Sequence, residues 1–321
     1  METGCGKPFS SDFIVELPRD KTLHCRVREL SAVHLLGLRN RFSFGCFRER
    51  VLFGEPAASV ARCKRETMKF TSFAFSEIGK SHAQNEDRYF REEKHGLFLI
   101  ADGLGGHVSG ETARQLAIDY ISDFVIRSRS GEVDWPALPQ KDLTLEQKRL
   151  LAAGILANRR ITRLSGHLSV IRRMGTTLVG ALTEREHLAI INVGDSRVYR
   201  IRSGQIAQIT TDHSIVGEQQ KMGLLSKEQA RAHPQRNLLT SALGLGENPQ
   251  MDVFRSDLSS GDLYLLCSDG LHATLPDEEI LGVILSVPDR ALYKIGLSLV
   301  LKASLAGGRD DTTVILIAFS E

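Results

Sequence analysis

The sequence predicts an α+β fold, and three features of the pattern predict it. Apolar strand-like segments come in consecutive runs, helical windows with recognisable start signals fall in pairs between those runs, and strict strand–helix alternation is absent. From Phe70 onward, alternating or continuous apolar patterns mark strands over 71–78, 97–101, 177–182, 187–193, 197–201, 262–267 and 312–319. Ser109 precedes an amphipathic window over 111–126 and is placed to start a helix there. Thr144 with Gln147, and Ser226 with Gln229, have the spacing of capping boxes. A last helix over 290–305 runs into Gly307 and Gly308, where a left-handed C-terminal cap is expected.

Composition narrows the class. The chain has 321 residues, 42% of them hydrophobic and 25% charged, which is ordinary for a globular protein. The net charge of +2, with no long run of Lys and Arg, speaks against nucleic acid or anionic lipid as a partner. Apolar stretches such as 295–301 and 188–193 fall far short of the roughly 18 to 20 residues that span a bilayer, and no secretory leader pattern appears at the start. A cytoplasmic protein, without membrane attachment and monomeric, is expected. The cysteines, Cys5, Cys25, Cys46, Cys63 and Cys267, form no C-x-x-C pair and read as reduced thiols, with Cys267 a small core residue.

Residues 1–67 carry 12 Lys and Arg against 8 Asp and Glu, which leaves a balance of −2 for the rest of the chain. No strand or helix period persists there beyond a short amphipathic helix pattern over 27–38. The expectation is an irregular, disordered extension over 1–67 followed by one folded domain over 68–321.

Acidic residues recur at the ends of the predicted strands. Glu86 and Asp87 follow the first, Asp102 the second, Asp195 the fourth and Asp269 the sixth, while Asp310 precedes the last. One Asp beside a Gly is ordinarily a turn residue. Five such places can meet at one edge of a fold, and clustered carboxylates stay ionised together most readily around hard divalent cations. With no convergent Cys and only scattered His, Mg²⁺ or Mn²⁺ is indicated over zinc.

The blocks Asn85-Glu86-Asp87, Ala101-Asp102-Gly103-Leu104-Gly105-Gly106-His107 and Gly175-Thr176-Thr177 follow in order. Val193-Gly194-Asp195-Ser196-Arg197, Cys267-Ser268-Asp269-Gly270-Leu271 and Arg309-Asp310-Asp311-Thr312-Thr313-Val314 come after them. Over about residues 70–319 this series resembles the PP2C, or PPM, family of metal-dependent protein phosphatases in its bacterial form. The resemblance implies a four-layer α-β-β-α sandwich of two antiparallel sheets flanked by helix pairs. It implies hydrolysis of phosphoserine and phosphothreonine on proteins by a water that two metal ions activate, with a cognate serine/threonine kinase or its substrates as partners.

Carried over residue by residue, the resemblance gives Asp102 the bridge between two metals and has Asp269 and Asp310 complete the first site. The Gly103 carbonyl and Glu86 serve the second, with Asp87 holding the surrounding waters. Asp195 and Asp269 would hold a third ion. Residues 210–244, containing Asp212 and His213, fall where the family has its flap beside the site, and they are expected to select substrate. Three positions depart from the family pattern. His82 replaces an Arg that contacts substrate phosphate, Leu104 replaces the His of many eukaryotic members, and Asp311 replaces a common Asn. His82 is therefore the expected phosphate contact, the alternative being that it packs beside the site while another base such as Lys80 binds the phosphate.

Residues 74–81 end in Gly79-Lys80-Ser81 and meet the relaxed pattern of a phosphate-binding loop, but polar residues rather than a helix pattern follow. The glycines from Gly103 miss the dinucleotide fingerprint because Val108 stands at its third Gly. The competing expectation is a phosphatase-like domain with weak turnover that binds a phosphoprotein or a regulator.

Overall fold

The computed structural model describes residues 68–104, 107–131, 133–140, 142–165 and 174–320. The expected N-terminal extension lies outside the described residues. So do four of the five cysteines.

Two antiparallel sheets carry the fold. The first contains, in spatial order, β1 (Lys69–Glu77), β11 (Thr312–Ser320), β10 (Leu263–Cys267), β7 (Arg197–Arg202) and β8 (Gln205–Gln208). The second runs β2 (Asp87–Glu92), β3 (Leu97–Leu104), β5 (Leu178–Glu184), β6 (His187–Val193) and β9 (Asp252–Asp257), with β4 (Gly175–Thr176) paired to the end of β3. Helices α1 (His107–Arg127) and α2 (Leu145–Ser165) cover the second sheet. The short α5 (Asp269–His272), with α6 (Asp277–Leu285) and α7 (Leu292–Leu305), covers the first. Helices α3 (Ile215–Lys221) and α4 (Lys227–Ala232) lie within the insertion between β8 and β9.

The two-residue period of the strands generates three apolar layers. Along β3, Leu97, Leu99 and Ala101 face α1 and α2, while Phe98 and Ile100 face the other sheet. Along β11, Val314 and Leu316 face α7, and Ile315, Ile317 and Phe319 enter the layer between the sheets. Both faces of these central strands are buried, which is why they read as continuous apolar runs. Each fully buried Leu, Ile or Phe contributes about 1.5–3 kcal/mol. The four-layer expectation holds, with a helix pair outside each sheet.

Local signals were met with instructive exceptions. At the start of α2, Gln147 N–H donates to Thr144 Oγ1 at 3.3 Å and Thr144 N–H to Gln147 Oε1 at 3.0 Å. Ser226 and Gln229 form the same reciprocal cap on α4. Helix α7 stops at Leu305 ahead of Gly307 and Gly308, both at positive φ. Helix α1, however, starts at His107, before the expected Ser109. Its first turn crosses β3 so closely that a Cβ on Gly103 would lie 2.9 Å from the Gly110 backbone. Side-chain-free backbone at both positions lets the helix begin directly after the strand.

Candidate active site

Strand register explains how residues far apart in sequence share one end of the sandwich. Asp87 opens β2 directly opposite Asp102 near the end of β3. Val193, at the end of β6, faces Leu178 at the start of β5, and the chain then turns through Asp195 into β7. Arg197 at the start of β7 pairs with Cys267 at the end of β10, which in turn pairs with Val314 near the start of β11. Asp269 follows Cys267, and Asp310 precedes β11. A Cβ on Gly270 would lie 2.1 Å from the Asp311 carbonyl oxygen, so the first turn of α5 can pack against this entry to β11 only because residue 270 is glycine.

The resulting carboxylates are buried among like charges. Burial, reinforced by the charges of Asp87 and Asp269, raises Asp102 well above the ordinary carboxylate range. Asp269 is raised by burial and then by Asp195 and Asp310. Asp195 is pushed up to about 7 by burial and the charge of Asp212. Burial also carries Asp87 up to about 7, although the Ser268 hydroxyl donates to Asp87 Oδ2 at 2.6 Å and works the other way. Ser268 is itself fixed, because its Oγ accepts the Thr313 N–H at 2.9 Å. Asp87 thus sits in a hydrogen-bonded frame behind the cluster.

The residues present fit divalent cations. Asp269 Oδ1 is buried and has no hydrogen-bond partner. An orphaned buried acceptor costs about 1–3 kcal/mol, and more when charged. A cation ligated there would remove both that cost and the mutual repulsion. The residues that the sequence pattern marks as donors, Asp102, the Gly103 carbonyl, Asp269, Asp310, Glu86 and Asp195, would offer only oxygen, which suits Mg²⁺ or Mn²⁺.

Among the described residues, one set of three, His82, Asp310 and Asp311, has its ligand atoms within 4.8 Å of one another. Asp311 in that set is a bracket more than a ligand. Only 2% exposed, it accepts the Gly79 N–H on Oδ1 at 2.7 Å, and on Oδ2 the Glu86 N–H and His82 Nδ1, the latter at 3.0 Å. Asp310, 48% exposed, is the member left open to a cation.

These bonds also order the loop that carries Glu86, whose carbonyl accepts the Gly103 N–H at 3.0 Å. His82 therefore stands beside the site with Nδ1 engaged by Asp311. That hydrogen bond raises its pKa, against the opposing effect of burial. Lys80 turns away, donating to the Ser304 carbonyl at 2.6 Å, and no helix follows it, so the phosphate-loop pattern has no structural counterpart.

Sequence reasoning missed the supports. Asp212, near the start of the 210–244 segment, is buried, and both its oxygens bind Arg197 at 2.7–3.1 Å. Arg197 also donates to the Tyr199 hydroxyl, and Tyr199 to Asp277. His213 is fully buried: its Nδ1 accepts the Gly194 N–H, so Nε2 carries the proton directed at Asp252. His272 Nε2 donates to the Asp195 carbonyl at 2.9 Å. The adjacency of Asp212 to His213 in a polar segment was the only signal. Cys267 is buried as expected, and burial raises its thiol pKa. The side chain of His107 lies outside the described residues.

The family described as protein phosphatase 2C matches residues 78–291. The chain belongs to the PP2C family. Over 243 residues it is 32% identical to the serine/threonine phosphatase Stp of Listeria innocua, covering 74% of this chain and 92% of that protein. It is 33% identical over 252 residues to the protein phosphatase PhpP of Streptococcus pneumoniae, covering 77% and 96%.

The serine/threonine phosphatase PstP/Ppp of Mycobacterium tuberculosis superposes with a TM-score of 0.66 at 32% identity, over 78% of this chain and 99% of that one. A PstP catalytic domain in complex with two manganese ions has a TM-score of 0.65 at 30% identity, over 79% of this chain and all of that one. The two-sheet architecture is thus the PP2C fold, and metal-dependent protein phosphatase chemistry is what this family performs. Among the described residues of this PP2C domain, no helix is long and apolar enough to cross a membrane.

Proposed function

We propose that the chain hydrolyses phosphoserine and phosphothreonine on other proteins at the Asp102–Asp269–Asp310 cluster, with Mn²⁺ or Mg²⁺ as cofactor. The observation that carries this reading is the buried, partnerless Asp269 Oδ1 set among carboxylates that raise one another's pKa. Bound divalent cations supply a water of lowered pKa and neutralise phosphate charge.

The chain's own residues do the rest. Asp102 would hold both ions, Asp269 and Asp310 would complete one site, and the Gly103 carbonyl and Glu86 would serve the other. Asp195, with Asp269, would hold a third ion. Asp87, held by Ser268, would keep the waters around the second site in place. Asp311 fixes the Glu86 loop, and His82 has its second ring nitrogen left for a substrate oxygen. Phosphoryl transfer asks for alignment and charge stabilisation more than for a side-chain nucleophile, which matches a site rich in ligands.

Phosphoproteins, through a cognate serine/threonine kinase or that kinase's substrates, are the partners. The cytoplasm is the proposed compartment and a monomer the proposed state. The test is phosphate release from a phosphothreonine peptide by wild type, Asp102→Ala and Asp269→Ala. Both variants should fold and lose turnover. A folded variant working at the wild-type rate would overturn the ligand assignment, and a wild type that binds the peptide without turnover would favour a binding module.

A further inference from the structure

A cavity of about 550 Å³ opens off the acidic cluster and runs beneath α3 and α4, within the size range of pockets that enclose small ligands. Asp195 and Asp269 close its buried end, while Glu228, Arg236 and Glu278 lie at its exposed side. Most charges along its wall already have local partners. Arg197 is bound by both oxygens of Asp212, and Lys227 Nζ lies 2.7 Å from Asp277 Oδ2. Arg231 donates to the carbonyls of His272, Leu275 and Ala273. Glu228 accepts the Ser226 hydroxyl at 2.7 Å, and Glu278 sits in the first turn of α6, where the helix dipole favours a carboxylate.

Arg236 fits none of these explanations. It lies in the turn after α4, exposed at the cavity, and among the described residues its guanidinium has no hydrogen-bond or ion-pair partner. Asn237 beside it lines the same cavity. An always-charged planar fork recognises carboxylate or phosphate through two parallel N–H bonds. The fold itself makes no use of this one, and it lies along a cavity that leads to the hydrolytic cluster.

We infer that Arg236 is a specificity-determining residue: it binds a second oxyanionic group, a carboxylate or a further phosphate, close to the phosphorylated residue of the substrate. This inference rests on the phosphatase reading above. It makes acidic or multiply phosphorylated segments the preferred substrates, and it acts on binding, because Arg236 is separate from the ligands of the cluster.

The test uses the full chain with Mn²⁺ and three phosphothreonine peptides, flanked by alanine, by aspartate or by a phosphoserine, with para-nitrophenyl phosphate as a small reference substrate. Wild type should favour at least one oxyanion-flanked peptide over the alanine peptide by about five-fold in kcat/KM, the scale of a partly exposed ion pair. Aspartate and phosphoserine distinguish the two sources of the anion. The preference should reside in KM, fall to near unity in Arg236→Ala, survive in part in Arg236→Lys and reverse in Arg236→Glu. A wild type that hydrolyses para-nitrophenyl phosphate but treats all three peptides alike overturns the inference and leaves the phosphatase reading intact. So does a preference that is the same in every variant. Failure to hydrolyse any of the four substrates defeats the phosphatase reading itself.

Discussion

Asp311 offers the sharpest structural test, because one buried carboxylate holds together a loop whose ends are more than 200 residues away in sequence. Asp311→Ala leaves the Gly79 and Glu86 N–H groups without their acceptor and removes the partner of His82. A stranded buried donor costs about 1–3 kcal/mol, and since the Gly79 N–H is buried and the Glu86 N–H part-buried, the two together cost about 2–4 kcal/mol. In a domain of this size 1 kcal/mol moves Tm by about 2–4 °C, giving a fall of about 4–16 °C. Asp311→Asn keeps one acceptor oxygen and should lose only about 1–1.5 kcal/mol. Urea unfolding in EDTA, followed by circular dichroism, measures the difference free of any change in metal binding. An Asp311→Ala protein within about 1 kcal/mol of wild type would refute the bracket, since that is less than one stranded donor should cost.

Two further outcomes follow from the supports and the cluster. Asp212→Ala strands the mostly buried Arg197 guanidinium and should cost about 3–5 kcal/mol in urea unfolding, while a double replacement by Asp212→Leu and Arg197→Met should recover much of that loss. Asp195 is an acid whose folded pKa is raised, to about 7, above its unfolded value of 3.8, so the folded state disfavours its ionised form. The penalty is absent below about pH 4, grows between there and about pH 7, and is complete above. Asp195→Asn should therefore raise Tm in EDTA at about pH 8 but not at about pH 4. An equal effect at both pH values would show that charge is not the cause.

The elements visible in the sequence were those buried on both faces. β3, β5, β6, β10 and β11 read as continuous apolar runs because each contributes to two layers at once. The edge strands β2, β8 and β9 were not foreseen. Asp87–Glu92 and Asp252–Asp257 each hold only two adjacent apolar residues between polar or charged ones, so neither shows a two-residue period, and Gln205–Gln208 is a four-residue edge. Helix α5 is four residues long and α6 follows Pro276 with no side-chain cap, so neither announces itself.

The acidic positions were legible because strand ends place them together. Their supports were not: Ser268 against Asp87, Asp311 against Gly79, and Tyr199 against Asp277 are pairings of 181, 232 and 78 residues' separation. Such contacts depend on which strands become neighbours, and no local period records that.

Clustered carboxylates that hold divalent cations for phosphate-ester hydrolysis would make turnover depend on metal. The most direct measurement is phosphate release from a phosphothreonine peptide by the full chain with Mn²⁺, with Mg²⁺ and with excess EDTA. The structure predicts turnover with at least one of the two ions and its loss on chelation, restored by adding metal back. Undiminished turnover in EDTA, or none with either ion, would contradict it.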